Sequence, residues 1–153
     1  MVDFDETDLK LLRLLQQDAS LSTAELAERV GLSQAPCWRR IKRLKDEGVI
    51  ERIAATLNAK KTGWPITVIA TVALEHHSPD DVKAFEQAVA RAPEVMECHA
   101  LSGDRDYWLK IVVGDIADYD RLLNERLLRS RVVRSIDSRF VLRSLKETTA
   151  LPL

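Results

Sequence analysis

The stretch Ser33-Gln34-Ala35-Pro36-Cys37-Trp38-Arg39-Arg40-Ile41-Lys42-Arg43-Leu44-Lys45 carries two patterns at once, one apolar and one cationic. Cys37, Ile41 and Leu44 recur at spacings of four and three, which places them on one stripe of a helix. At about 100° per residue, Arg39 then points almost directly away from that stripe, with Lys42 and Arg43 flanking it. Arg40 falls nearer the stripe's boundary, where a structural ion pair competes with an outward role. Ser33 stands where an N-cap is wanted. Pro36 falls in the first turn, where a missing N–H costs nothing because those amides have no intrahelical acceptor. From Arg39 to Lys45 there are five cations and no acid, in a chain whose formal net charge is −1. Affinity for a polyanion must therefore come from local placement of charge, and this helix is where it is placed.

Upstream, Ser22 and Glu25 have the spacing of a capping box, and Leu21 and Leu26 that of the accompanying hydrophobic staple. The helix they start is short and stops at Gly31, a residue suited to a left-handed C-terminal cap. A first helix begins at Asp5, with Asp8 at its third position and Phe4 set to pack on Leu9. Its apolar face is built from Leu9, Leu11, Leu12, Leu14 and Leu15. Downstream, the third helix ends at Gly48, and Val49-Ile50 with Ala54 to Leu57 predict a short β-ribbon. Three capped helices, a tight glycine-containing turn and a ribbon make a winged helix-turn-helix, in which the start of the last helix reaches base edges in the major groove. The DNA-binding candidates are Ser33, Gln34, Ala35, Trp38, Arg39, Lys42, Arg43 and Lys45. Arg39 projects furthest and is the candidate base reader, while Lys42, Arg43 and Lys45 suit phosphates. Trp38 sits to one side, where packing on the first helix competes with a sugar or phosphate contact.

Asn58-Ala59-Lys60-Lys61-Thr62-Gly63 is a polar linker, which sets the expected domains at 1–60 and 61–153. Ile66–Leu74 is rich in Val, Ile and Thr and predicts a strand. Ser78-Pro79 opens a helix with Val82, Phe85, Val89 and Ala92 on one face. Val95–Leu101 and Tyr107–Val113 predict two strands around the turn Ser102-Gly103-Asp104-Arg105-Asp106. Asp115 caps a helix bearing Tyr119, Leu122, Leu123 and Leu127, and Arg134 to Lys146 predicts a last strand with Ile136, Ser138, Phe140 and Leu142 on one side. The order β-α-β-β-α-β is the ferredoxin-like arrangement, so the fold class is α+β. Two helices cover one face of such a sheet. The other face, expected to carry Val, Ile, Ala and Phe, seeks a partner and predicts a dimer.

Composition narrows the function classes. With 46% hydrophobic and 31% charged residues the chain is an ordinary globular one. The start MVDFDETDLK lacks a signal-peptide pattern, and Ile66–Leu74 is too short to span a bilayer, so a cytoplasmic protein without membrane association is expected. Cys37 and Cys98 fit no metal spacing, and His76 and His77 are adjacent and point apart in extended chain, so no metal site is expected. No GxGxxG or GxxxxGK run offers a phosphate cradle, and no cofactor is expected.

The chain resembles the Lrp/AsnC family, the feast/famine regulators of bacteria and archaea, over nearly its whole length. The residues that carry the resemblance are Phe4-Asp5-Glu6-Thr7-Asp8-Leu9-Lys10-Leu11-Leu12, Val30-Gly31-Leu32-Ser33 leading into Pro36-Cys37-Trp38-Arg39-Arg40-Ile41, Gly48-Val49-Ile50, Glu97-Cys98-His99 and Ser102-Gly103-Asp104-Arg105-Asp106-Tyr107. The ending Thr148-Thr149-Ala150-Leu151-Pro152-Leu153 is similar to the tail of one large subgroup. The resemblance implies a DNA-binding transcription regulator, not an enzyme, whose second domain is an effector and oligomerisation module. It implies dimers that pair through their sheets and assemble to octamers, an imperfect palindromic operator on double-stranded DNA, and an amino-acid effector bound near the turn after the second strand.

Carried over by position, Gly103, Asp104, Asp106 and Tyr107 are the effector candidates, with Ala100, Ser138 and Phe140 on neighbouring strands behind them. A glycine turn can offer backbone N–H groups to a carboxylate, and an Asp can accept from an ammonium group. The competing role for each Asp is to satisfy backbone within its own turn. Arg131-Val132-Val133 departs from the Pro-Gly-Val turn of many relatives, at a place that bears on assembly. Two other functions share this architecture. A sirohaem decarboxylase of the same fold has a His/Asn-rich pattern that Glu97–Lys110 lacks, with His99 alone there, and a weakly specific chromosome-organising protein differs only in its selectivity for sequence.

Overall fold

The structure is a computed structural model and describes residues 3–129 and 131–153. The chain forms two compact units, Met1–Thr56 together with Leu145–Leu153, and Leu57–Ser144.

The first unit holds α1 (Glu6–Gln17), α2 (Thr23–Val30) and α3 (Gln34–Asp46). Asp5 caps α1 by accepting from the Asp8 amide, and Asp8 returns a bond to the Asp5 amide. Ser22 and Glu25 exchange the same pair of bonds at the start of α2. Because that capping box satisfies amides that would otherwise lack acceptors, Ser22→Ala is expected to destabilise the unit by about 1 kcal/mol in urea unfolding. Gly31 and Gly48 both sit in the left-handed region at φ 71°. Each closes its helix with the paired bonds of a Schellman motif: Leu32 N–H to Ala27 and Gly31 N–H to Glu28, then Val49 N–H to Leu44 and Gly48 N–H to Lys45. Leu11, Leu26, Ala27 and Cys37 form the buried centre, packed by Leu14, Leu15, Leu21, Val30, Leu32 and Ile41.

The expected ribbon does not form: no residue from 49 to 57 lies in a strand, and residues 51–57 are exposed. The amides of Val49 and Ile50 both donate to the Leu44 carbonyl, so the cap of α3 takes the groups a ladder would have used. The last residues pack within this same unit. The Gln16 amide brackets Leu151, accepting its N–H at 2.6 Å and donating to its carbonyl at 3.3 Å, and Arg13 Nε donates to the Leu153 carbonyl at 2.8 Å.

The second unit contains β1 (Ile66–Leu74), α4 (Pro79–Ala90), β2 (Val95–Ala100), β3 (Tyr107–Val113), α5 (Ile116–Leu122) and β4 (Val133–Phe140). α5 runs on into one π-helical turn at Leu123–Leu127. The strands form one antiparallel sheet in the order β2-β3-β1-β4, the ferredoxin-like arrangement. Ser78 and Asp115 cap the two helices, and Pro79 occupies the first turn of α4. Segment 58–64 is itself a hydrogen-bonded turn, with Asn58 accepting from Thr62 and Lys61, and Ala59 from Trp64.

Period-two burial on β1 and β3 puts Val68, Ala70, Val72, Leu109, Ile111 and Val113 against the helices, where Phe85 and Tyr107 meet with ring centres 4.6 Å apart. Cross-strand register assigns the other face to Thr67, Ile69, Thr71 and Ala73 of β1, Trp108, Lys110 and Val112 of β3, Glu97 and His99 of β2, and Ser135, Asp137 and Arg139 of β4. That face is more polar than the expected Val, Ile, Ala and Phe surface. Phe140 belongs to the helix side, edge-on to Tyr119. β4 ends at Phe140 rather than at Lys146, because its partner β1 begins at Ile66 and the Val141 N–H to Thr67 bond is the last one available. Arg131 has φ 56°, the one positive value on a non-glycine among the described residues.

Candidate functional site

The third helix presents its charges unequally. Cys37 and Leu44 are buried and Ile41 is half-buried, so the apolar stripe faces the core as its spacing requires. Ser33, Gln34, Ala35, Trp38, Arg39, Lys42 and Lys45 are all exposed. Ser33 occupies the N-cap position, yet its hydroxyl makes no capping bond. Gln34, Ala35 and Trp38 line a shallow depression with Thr23, the first residue of α2.

The Arg39 and Lys45 side chains make no hydrogen bond or ion pair among the described residues, and Lys42 pairs with Asp46 one turn on. That pair is more than half exposed on both sides and is weak enough for a phosphate to displace. Arg43 is different. Its guanidinium turns inward to the Asp8 carboxylate of α1. Arg40, the boundary residue, bonds Asp8 at 2.8 Å and Asp5 at 2.6 Å. Asp8 and then Asp5 hold the Arg40 guanidinium still more firmly protonated than usual, and the Asp8 amide with Arg40 lowers the Asp5 carboxyl.

In the second unit the turn after β2 is pinned at both ends: Leu101 N–H donates to the Asp106 carbonyl, and Asp106 N–H to the Val72 carbonyl. Gly103 has φ 125°, and the Asp104 side chain is 95% exposed with Arg105 Nε 4.0 Å from its carboxylate, so this part of the turn presents backbone and a solvated carboxylate. The Asp106 carboxylate is occupied. Oδ2 accepts from the Leu74 amide at 2.7 Å and Oδ1 meets His77 Nε2 at 2.6 Å. The Leu74 amide, and after it His77, lowers the Asp106 carboxyl against the opposing effect of burial. Tyr107 is buried, its hydroxyl donating to Glu86, and burial pushes the phenol up. Ala100 pairs with Tyr107 across β2 and β3 and is exposed. Ser138 and Phe140 lie on β4, beyond β1, and both contact Tyr119 of α5.

The turn therefore gathers Ala100, Gly103, Asp104, Asp106 and Tyr107, while Ser138 and Phe140 stand at the other edge of the sheet. Burial also pushes both thiols, Cys37 and Cys98, upward, which is the wrong direction for a nucleophile. No helix among the described residues is long and apolar enough to cross a membrane.

A helix-turn-helix unit with a cationic third helix, followed by a separate ferredoxin-like unit, defines the class of DNA-binding transcription regulators with a ligand-binding domain. Two family models match the chain in that order: winged helix-turn-helix DNA-binding over residues 4–51, and Lrp/AsnC ligand binding domain over residues 67–151. The chain belongs to the Lrp/AsnC family of transcription regulators. It is 42% identical over 149 residues to a glutamate uptake regulatory protein of Zymomonas mobilis, covering 97% of this chain and 90% of that one. It is 39% identical over 153 residues to the Bkd operon transcriptional regulator of Pseudomonas aeruginosa, covering all of both. A transcriptional regulator of Neisseria meningitidis, solved as its L-Met complex, superposes with a TM-score of 0.94 at 35% identity, over 98% of this chain and 97% of that one.

Three contacts escaped sequence reasoning: the Asp8 pairings, the His77–Asp106 bond and the docking of Leu151 and Leu153 on α1. The first left a signal. Asp8, Leu11, Leu12 and Leu15 follow helical spacing, so an acid lies on the apolar face of α1 and needs cationic partners. The other two join segments far apart in sequence and carry no local pattern.

Proposed function

We propose that this regulator acts in the cytoplasm as a homodimer that assembles further to an octamer, without a catalytic step, on an imperfect palindromic operator. An amino acid bound at the Gly103–Tyr107 turn modulates its assembly or its grip on DNA. Residues 1–60 serve the DNA contact and 61–153 serve effector binding and assembly. In this reading Ser33, Gln34, Ala35 and Arg39 approach base edges, Lys42 and Lys45 meet phosphates, and Trp38 lies against the backbone. A dimer places two such helices about 34 Å apart on one side of the duplex, hence the palindrome.

The observation that carries the DNA assignment is the pair of outward cations, Arg39 and Lys45, whose side chains no acid among the described residues pairs with. Support for the effector comes from the chemistry of the turn: exposed backbone at Gly103 and a solvated Asp104 suit a carboxylate and an ammonium group respectively. It also comes from the relatives, one crystallised with L-Met and another named for glutamate uptake.

The test is a thermal-melt titration with each of the twenty common amino acids, with the mass followed by light scattering. A ligand present at a hundred times its Kd adds about 2.7 kcal/mol to the folded state, enough to raise the melting temperature by several degrees. One amino acid or a small group is expected to do this, with a dimer or a multiple of it in solution. No shift with any of them, together with a monomer at micromolar concentration, would remove the proposal.

A further inference from the structure

We infer that Asp8 of α1 is a positioning residue for DNA recognition: by holding Arg43 and Arg40 inward it fixes α3 and limits how many of its cations the DNA meets. This rests on α3 being the DNA-reading helix. The Asp8 side chain is 2% exposed, and both oxygens are used on α3, Oδ1 by Arg40 at 2.8 Å and Oδ2 by Arg43. Asp5, one turn earlier on the chain, adds a second bond to Arg40 at 2.6 Å. Two acids three residues apart, the N-cap of α1 and a residue of its first turn, thus face two arginines three residues apart on α3, and their charges cancel.

Of the five cations between Arg39 and Lys45, that cancellation leaves Arg39, Lys42 and Lys45 for an outside polyanion. Arg43 is nevertheless 44% exposed and 4.0 Å from Glu47 of its own helix, on the solvent side. A change of rotamer would add it to the outer face. What prevents the change is Asp8, since a buried carboxylate stripped of a partner is strongly disfavoured. The consequence is selectivity. Non-specific affinity for DNA comes almost wholly from phosphate neutralisation, so the withheld cation lowers affinity for every sequence. The selectivity itself comes from the fixed helix, which keeps its contacts with the correct bases and loses them when Asp8 no longer holds it.

The experiment measures the salt dependence of binding by fluorescence anisotropy, using a duplex that the wild-type protein selects from a random pool and a scrambled duplex of the same composition. Asp8→Asn keeps an acceptor for Arg40 but removes the charge that holds Arg43. It is expected to bind the scrambled duplex more tightly, to steepen the slope of log K against log salt by about one, and to lower the selected-to-scrambled ratio several-fold. A purely structural role would weaken both duplexes with no steeper slope, and that result overturns the inference. The double variant Asp8→Asn with Arg43→Gln is expected to return the slope to the wild-type value.

Should Asp8→Asn fail to fold, Arg43→Gln carries the test alone. Arg43 meets no phosphate in the wild type under this inference, so the slope stays unchanged while Arg39→Gln or Lys45→Gln lowers affinity. A slope shallower by about one in Arg43→Gln overturns the inference and leaves α3 as the reader. If Arg39→Gln and Lys45→Gln also change nothing, the assignment of α3 itself fails, and this inference with it.

Discussion

Replacing Arg39, Lys42 and Lys45 together with alanine is expected to abolish recognition of the selected operator while leaving the fold intact. None of the three contributes to the buried core of the first unit, and among the described residues the only side-chain bond lost is the exposed Lys42–Asp46 pair, so the stability change should stay within about 0.5 kcal/mol. The contributions to binding separate by kind. Arg39 stands opposite the apolar stripe of Cys37, Ile41 and Leu44. If its planar fork meets a guanine edge, Arg39→Ala alone costs about 1–3 kcal/mol and flattens the preference at one position. Lys42 and Lys45 are point charges, and losing each should weaken every sequence alike and make the salt slope shallower by about one. Anisotropy titrations on selected and scrambled duplexes across a salt series read both effects. Unchanged affinity in the triple variant would show that another surface meets the DNA.

That expectation could be formed largely before any coordinates, because the features behind it are local. A capping box needs four residues, a left-handed cap needs one glycine, and an amphipathic face needs two turns. Ser22 with Glu25, Gly31 with Gly48, and the Cys37, Ile41, Leu44 stripe all lie within such windows and are found as read. The ferredoxin-like order was legible for the same reason: each strand and each capped helix announces itself, and topology rules leave few ways to arrange them. What failed was decided by competition for the same backbone groups. The Val49 and Ile50 amides had two possible acceptors, and the helix cap took them from the ribbon. The last strand kept its alternating pattern past Phe140, but a strand ends where its neighbour ends.

The candidate site was legible in its outward half only. Sequence periodicity says which way Arg39 points, and it placed Arg40 at the edge of the core. It does not say that the fourth cation of the run, Arg43, finds a carboxylate on a helix more than thirty residues earlier. In the second unit the motif around Gly103 falls in the turn between β2 and β3, and the two aspartates in it have different tasks. Asp104 is solvated, whereas Asp106 ties the turn to the end of β1 through Leu74 and to His77 beyond it.

This difference sets the second large effect. Asp106→Ala is expected to destabilise the protein by about 1–3 kcal/mol, because the amide of Leu74, a residue only 1% exposed, loses its acceptor. The depressed Asp106 carboxyl also fixes the sign of a pH effect. A carboxylate whose folded value lies below its usual 3.8 stabilises the fold fully above that value and progressively less as pH falls through the lower folded one. Wild-type stability should therefore drop in that acidic window by more than that of Asp106→Asn, which can keep an acceptor on Leu74 without a titrating charge. Asp104→Ala is the companion variant. Being almost fully exposed, it should leave stability within about 0.5 kcal/mol of wild type. If an amino acid binds at this turn through the Asp104 carboxylate, Asp104→Ala loses the ligand-induced rise in melting temperature with no change in the ligand-free melt. Asp106→Ala loses both, because the turn that presents Gly103 and Asp104 is no longer held, and DNA binding without effector persists in each. Urea unfolding across pH, with melts with and without the effector, distinguishes these outcomes. A ligand-induced shift of wild-type size in both variants would move the effector site away from this turn.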